Sequence, residues 1–215
     1  MPTAPIESAL FGPMVSASEI EEATIETIKF WLPTYCAEME RRLSIRRGTL
    51  VAPQNYINRN SFDTVEGEKT PKIVVICAGL GAGPLRHSMS YSAMWRVGVG
   101  IATGAKTERE CNKYVKAYAA AIRSLLIHKP GTVREYGLET LSEIYWSSED
   151  YDDLPDISNQ HRLYKAAIIW FQFEIDAVVA CGIGMHGPLG PDLQPPDFGN
   201  IETVVIHVDS PVPPP

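Results

Sequence analysis

The chain is poor in everything that declares a chemistry. Its 215 residues hold only four cysteines, Cys36, Cys77, Cys111 and Cys181, and no CxxC pair. Each sits inside an apolar pattern, which reads as a buried free thiol and argues against a zinc ribbon or a dithiol redox centre. The five histidines, at 87, 128, 161, 186 and 207, show no HxxxH or HExxH spacing. A GxSxG elbow, a Walker loop and a Cys–His nucleophile signature are missing too, so no known motif places a catalytic group. No apolar run reaches the roughly 18 residues that span a bilayer. The N-terminal MPTAPIESALFGP lacks the positive segment and apolar core of a signal peptide. These absences lead us to expect a protein made and used in a cytoplasm, without membrane contact. Positive charge is also scarce: 19 Lys and Arg stand against 26 Asp and Glu, a formal net charge of −7. That balance argues against general binding to a nucleic-acid backbone.

What is present is an ordinary globular composition, 45% apolar and 21% charged, in a chain long enough for one good-sized domain. The clearest pattern is Tyr91 to Leu126. Tyr91, Ala93, Trp95, Val97, Val99 and Ile101 alternate with Ser92, Met94, Arg96, Gly98, Gly100 and Ala102, a strand with one buried face. After Gly104 the period changes. Cys111, Tyr114, Val115, Tyr118, Ile122, Leu125 and Leu126 mark an amphipathic helix, opened by a Thr107/Glu110 capping box and stopped by Lys129-Pro130-Gly131.

The same reasoning covers the rest. Residues 1–17 form an arm punctuated by proline and glycine. Ser18/Glu21, or Ser16/Glu19 in its place, caps a helix carrying Ile20, Ala23, Ile28, Trp31 and Leu32. Pro33 is expected to break or kink it. A second piece from Thr34 to about Arg46 carries Tyr35, Met39 and Leu43 on one side. Residues 48–71 read as an irregular loop long enough to suggest an interface role. Lys72–Ala78 reads as a buried strand and Gly137–Trp146 as a weaker one. Tyr164–Ala180 alternates strongly, with Ala167, Ile169, Phe171, Phe173 and Ile175 against Gln172, Glu174 and Asp176. The stretch 183–215 is rich in proline and glycine, and its island at 202–208 (ETVVIHV) is suited to adding a strand to a sheet edge. The fold class expected is α+β: a mixed, largely antiparallel sheet of about four strands, packed against helices on one face, spanning 18–182, with a Pro-rich C-terminal extension.

Four features invite a site, and each has a plainer reading. Gly79, Gly81 and Gly83 follow a strand, but a dinucleotide site needs a helix to open there, and Pro84 followed by an alternating strand opens none. A mobile glycine-rich loop is the better reading. Glu149, Asp150, Asp152 and Asp153 could attract a hard cation but lack EF-hand spacing, so an exposed acidic loop is expected. Arg41, Arg42, Arg46 and Arg47 suit a helix C-terminus and a protein–protein salt-bridge face. Trp31, Trp95 and Trp170 are accounted for by core or interface packing. No catalytic residue, cofactor or metal site is therefore expected.

The order of segments nevertheless resembles a known family. WLPTYCAEMERRL, a loop with YINRNSFD, the strand PKIVVICAG, then YSAMWRVGVGIAT, KAYAAAIRSLLIHKPG, SEDYDDL and a final strand ending before GP resemble the tail terminators of siphovirus-type phages, particularly those of actinobacteria. The resemblance covers roughly residues 20–188. It implies a non-enzymatic virion protein at the tail–neck junction, assembled in the host cytoplasm as a homohexameric ring. It also implies that the ring caps the tail tube, stops its polymerisation and meets the head-completion or stopper protein, while DNA passes through the lumen without specific binding. The alternatives are a head-completion or stopper protein, and an enzyme using the Gly79–Gly83 loop as a nucleotide site. The interface residues expected are Arg41, Arg42, Arg46, Arg47, Met94, Arg96, Glu174 and Asp176, with Val204 and Ile206 in the C-terminal island.

Overall fold

The computed structural model describes residues 15–58, 70–87, 90–154 and 163–180. Most of the N-terminal arm and the whole of 183–215, with the strand expected at 202–208, lie outside the described residues.

Helix α1 spans Ala17–Arg42. Of the two possible boxes, Ser16/Glu19 forms: the Ser16 hydroxyl accepts from the Glu19 amide, and the Glu19 carboxylate accepts from the Ser16 amide. Ser18 is already inside the helix. Ile20, Ala23, Ile28 and Leu32 are buried along one stripe. Contrary to expectation the helix runs unbroken through Pro33. Pro33 deprives the Lys29 carbonyl of its donor, but both residues lie on the exposed side, where solvent replaces the lost bond. Beyond Pro33 the inward residues are Cys36 and Met39, whereas Leu43 is exposed. The helix stops at Arg42 rather than near Arg46. There the amides of Leu43 and Ile45 fold back onto the carbonyls of Met39 and Glu40 around Ser44, whose φ is +48°.

The 48–71 stretch is not wholly irregular, because β1 (Asn55–Asn58) lies within it. Only its pairing with a neighbour makes those four residues a strand. The chain continues as β2 (Lys72–Leu80), β3 (Leu85–His87), β4 (Ser90–Ala105), α2 (Glu108–His128), α3 (Pro130–Glu135), β5 (Leu141–Leu154) and β6 (Leu163–Ala180). Thr107 caps α2 by accepting from the Glu110 amide. Pro130 ends α2 but also opens α3, since proline's fixed φ and missing N–H suit the first helical position.

Among the described residues there is one sheet of six strands, ordered β1-β2-β4-β6-β5, with β3 beside β4. β1 and β2 are parallel and the other pairs antiparallel, so the sheet is mixed. The fold is the expected α+β class with two more strands. Residues opposite each other in register share a face. Ile73, Ile101 and Ala167 lie in one such row and Val75, Val99 and Ile169 in the next, all buried beneath the helices. Phe171 and Phe173 extend that inner face. Burying side chains of this size stabilises the fold by about 1.5–3 kcal/mol each. α2 answers with Cys111, Val115, Tyr118, Ile122, Leu125 and Leu126. α1 lies over the β1–β2 side, and α2 lies over β4, β6 and β5.

The largest departure concerns the acidic stretch. Glu149, Asp150, Asp152 and Asp153 are not a loop but the second half of β5, paired with Ile169, Ile168, Ala166 and Lys165. The strand starts at Leu141, later than expected, and runs eight residues past Trp146. β5 is the last strand in the sheet order, so Asp150, Asp152 and Asp153 reach solvent while Glu149 is half-buried against Arg123 and β6 satisfies one side of the backbone.

Candidate functional site

Four of the expected interface residues come together on the outer sheet face, the one opposite α1 and α2. Met94 pairs with Glu174, and Arg96 with Gln172, across β4 and β6. β5 adds Glu143 opposite Glu174 and Tyr145 opposite Gln172. The Tyr145 hydroxyl donates to Glu174 Oε2 at 3.0 Å, and the two carboxylates beside it, Glu143 and Glu174, push the phenol's pKa up. Asp176 accepts from the Ser92 hydroxyl at 3.1 Å and from the Ser142 hydroxyl. Three strands are thereby stitched together by side chains outside the backbone ladder.

Among the described residues Arg96 forms no salt bridge. Its guanidinium stacks on the Trp170 ring, 4.1 Å from the centroid, which keeps the charge at the surface over an apolar plate. Below that plate the face is flat, because Gly98, Gly100 and Ala102 of β4 carry little or no side chain. Val74 and Ile76 of β2 flank them. Trp170, read from the sequence as core or interface packing, belongs to this patch, as do Ser92, Gln172, Tyr145 and Ser142, none of which was expected at an interface. Their only signal was position on the polar half of an alternation.

The arginines form a separate group. Arg41 grips Glu38 with two hydrogen bonds of 2.7 and 2.8 Å, and Arg42 adds one of 2.6 Å. These bonds hold the Glu38 carboxyl at about 2, well below the usual range. Arg46 and Arg47 follow in an exposed turn. The turn is anchored from within by Glu40, which accepts from the Gly48 and Leu50 amides at 2.9 and 2.6 Å. Burial works to raise the Glu40 carboxyl, but these amides, that of Thr49 and the nearby Arg47 charge outweigh it and leave it lowered. Val204 and Ile206 lie outside the described residues.

The glycine stretch holds no nucleotide-binding geometry. β2 continues through Gly79 to Leu80, the Gly81 amide donates to the Met94 carbonyl at 2.7 Å, and the next element is β3, not a helix. This places Gly79 at the end of β2, and Gly81 and Gly83 in the connection that follows it. Two clefts stand out among the described residues. One of about 500 Å³ lies between Thr49, Val51, Thr70, Thr103, Tyr114 and Tyr118. The other, of about 240 Å³, lies beside Lys116, Tyr151, Asp153 and Lys165, where Lys165 already bridges Asp153 and Glu108. Among the described residues no three His, Cys, Asp or Glu side chains are grouped to hold a metal ion. No described helix is long and apolar enough to cross a membrane.

No protein-family model matches the chain, and no curated protein matches it. Among solved structures it is similar to a chain of the virion of a native gene transfer agent particle. That likeness has a TM-score of 0.37 at 11% identity and covers 64% of this chain and 91% of the other.

Proposed function

We propose that this chain is a structural ring subunit with no catalytic role, acting as the terminator of a siphovirus-type tail. In this reading the ring caps the tail tube, stops its growth and joins the head-completion proteins. The observation that carries it is positional. The segments that resemble tail terminators fall in order on α1, β2, β4, α2 and β5 of one sheet-and-helix unit. That unit has two unlike lateral edges, as a head-to-tail ring requires, because such rings join different patches of identical subunits.

The net charge of −7 fits a channel through which DNA passes without being gripped, since like charges repel. Replacing lumen acids by Lys should slow genome passage, and unchanged ejection would count against this part of the reading.

Particle mass and symmetry test the proposal directly. Six copies of a 23.7 kDa chain give roughly 142 kDa, visible by mass photometry and as a six-fold ring in negative stain. Co-purification with tail-tube protein supports a terminator. Retention only by portal or adaptor protein points instead to a stopper. A chain that remains monomeric both alone and with tube protein defeats the ring reading.

A further inference from the structure

An acidic strand edge and a basic turn stand out among the described residues. β5 is the terminal strand on one side, and no described strand pairs with its outer edge. Its second half carries Asp150 and Asp152, which form no ion pair among the described residues, whereas Glu149 is paired with Arg123 and Asp153 with Lys165. At the other side stands β1, beneath α1, and the turn that leads from α1 towards β1 carries Arg46 and Arg47. Neither arginine forms a salt bridge among the described residues, although the Arg47 charge is felt by Glu40.

The register fixes the level of the acidic patch. Asp150 lies in one row with Ile168, Gly100, Val74 and Ile57, and Asp152 in one row with Ala166, Ala102, Lys72 and Asn55. The acidic half of β5 is therefore level with the end of the sheet where β1 begins. Four strand spacings separate the edges, roughly 19 Å. That exceeds two screening lengths of ~8 Å at physiological salt, so charges standing at the two edges cannot neutralise one another within a subunit. Side by side in two copies, they can.

We propose that the acidic edge of β5 docks the Arg46–Arg47 turn of a second copy of this chain, and that this head-to-tail contact joins neighbouring subunits. The proposal rests on the ring reading above and names the surfaces that close it. Exposed Tyr145 lies on the same strand and the same sheet face as Asp150 and Asp152, nearer the strand's start. A heterologous contact of this kind leaves one acidic edge and one basic turn free at the ends of any open chain of subunits, and only ring closure satisfies both.

A charge exchange on the full chain tests it. One variant carries Arg46→Glu and Arg47→Glu, and the other Asp150→Lys and Asp152→Lys. All four side chains are exposed, and unchanged far-UV circular dichroism and melting verify that both variants fold. Mass photometry should show assembled wild type that falls apart at high salt, each variant alone as monomer, and the equimolar mixture assembled again with the variants alternating. Wild type that assembles while both variants assemble equally well overturns this contact and leaves the ring reading standing. Wild type that stays monomeric with and without tube protein overturns both. Variants that fail singly and stay monomeric when mixed overturn the pairing of these two patches.

Discussion

The indole of Trp170 lies against Gly98 of the neighbouring strand, so close that a Cβ built on Gly98 meets the ring at 2.7 Å. The two residues are directly opposite in register. The glycine is there to be covered, and the plate it supports in turn carries Arg96. Gly98→Ala should therefore destabilise the fold by about 1–3 kcal/mol, as overpacking does. In Trp170→Leu the same alanine should cost markedly less. Urea unfolding of the four chains of this double-mutant cycle measures the difference, and equal costs in both backgrounds would show that the ring is not what excludes a methyl.

Ser16 and Ser18 are equally plausible caps by spacing, but only Ser16 makes the reciprocal bonds. Ser16→Ala should lose about 1 kcal/mol. Ser18→Ala should stay within about 0.5 kcal/mol of the parent. Thermal or urea denaturation of the two variants decides, and a larger loss from Ser18 than from Ser16 would contradict the capping geometry.

Glu40 holds the turn that presents Arg46 and Arg47. Its folded-state pKa is lowered from the 4.5 of a free side chain. Its ionised form therefore stabilises the fold fully above that value, and the contribution fades as pH falls through the folded pKa. Glu40→Ala should cost about 1–3 kcal/mol at neutral pH by stripping the Gly48 and Leu50 amides of their acceptor. Unfolding free energies of parent and variant should converge on acidification, and a gap that stays constant down to strongly acid pH is the contrary result.

The described cysteines should be inert in the native chain. Burial raises the Cys36 thiol to about 12, with the Glu40 charge adding to it, and raises Cys77 and Cys111 as well. Thiolate is the reactive form, so alkylation mapped by mass spectrometry at mildly alkaline pH should spare all three until denaturant is added. Rapid native labelling of Cys36 would mean that α1 opens readily.

Much of the layer architecture is written in local periodicity. The alternation from Tyr91 to Ile101 and from Ala167 to Ile175, and the spacing from Cys111 to Leu126, each record which side of an element is buried, and the structure puts those sides against one another. Pattern alone also marked Arg96, Glu174 and Asp176 as open-face residues. It did not reveal that Arg96 rides on Trp170, because that contact joins strands far apart in sequence.

What the sequence determined by itself is therefore the set of elements with a clear apolar pattern, β2, β4, α2 and β6, together with the start of α1 up to Pro33. What only the tertiary structure decided is the rest. β1 and the acidic half of β5 have no apolar alternation, and both become strands because a neighbour's backbone pairs with them. Pro33 stays in the helix because its lost hydrogen bond faces solvent. The place of the acidic half of β5 at a sheet edge likewise follows from strand order, which no local pattern encodes. Burial leaves a periodic trace along the chain, whereas pairing at a sheet edge depends on a partner that the segment itself does not contain.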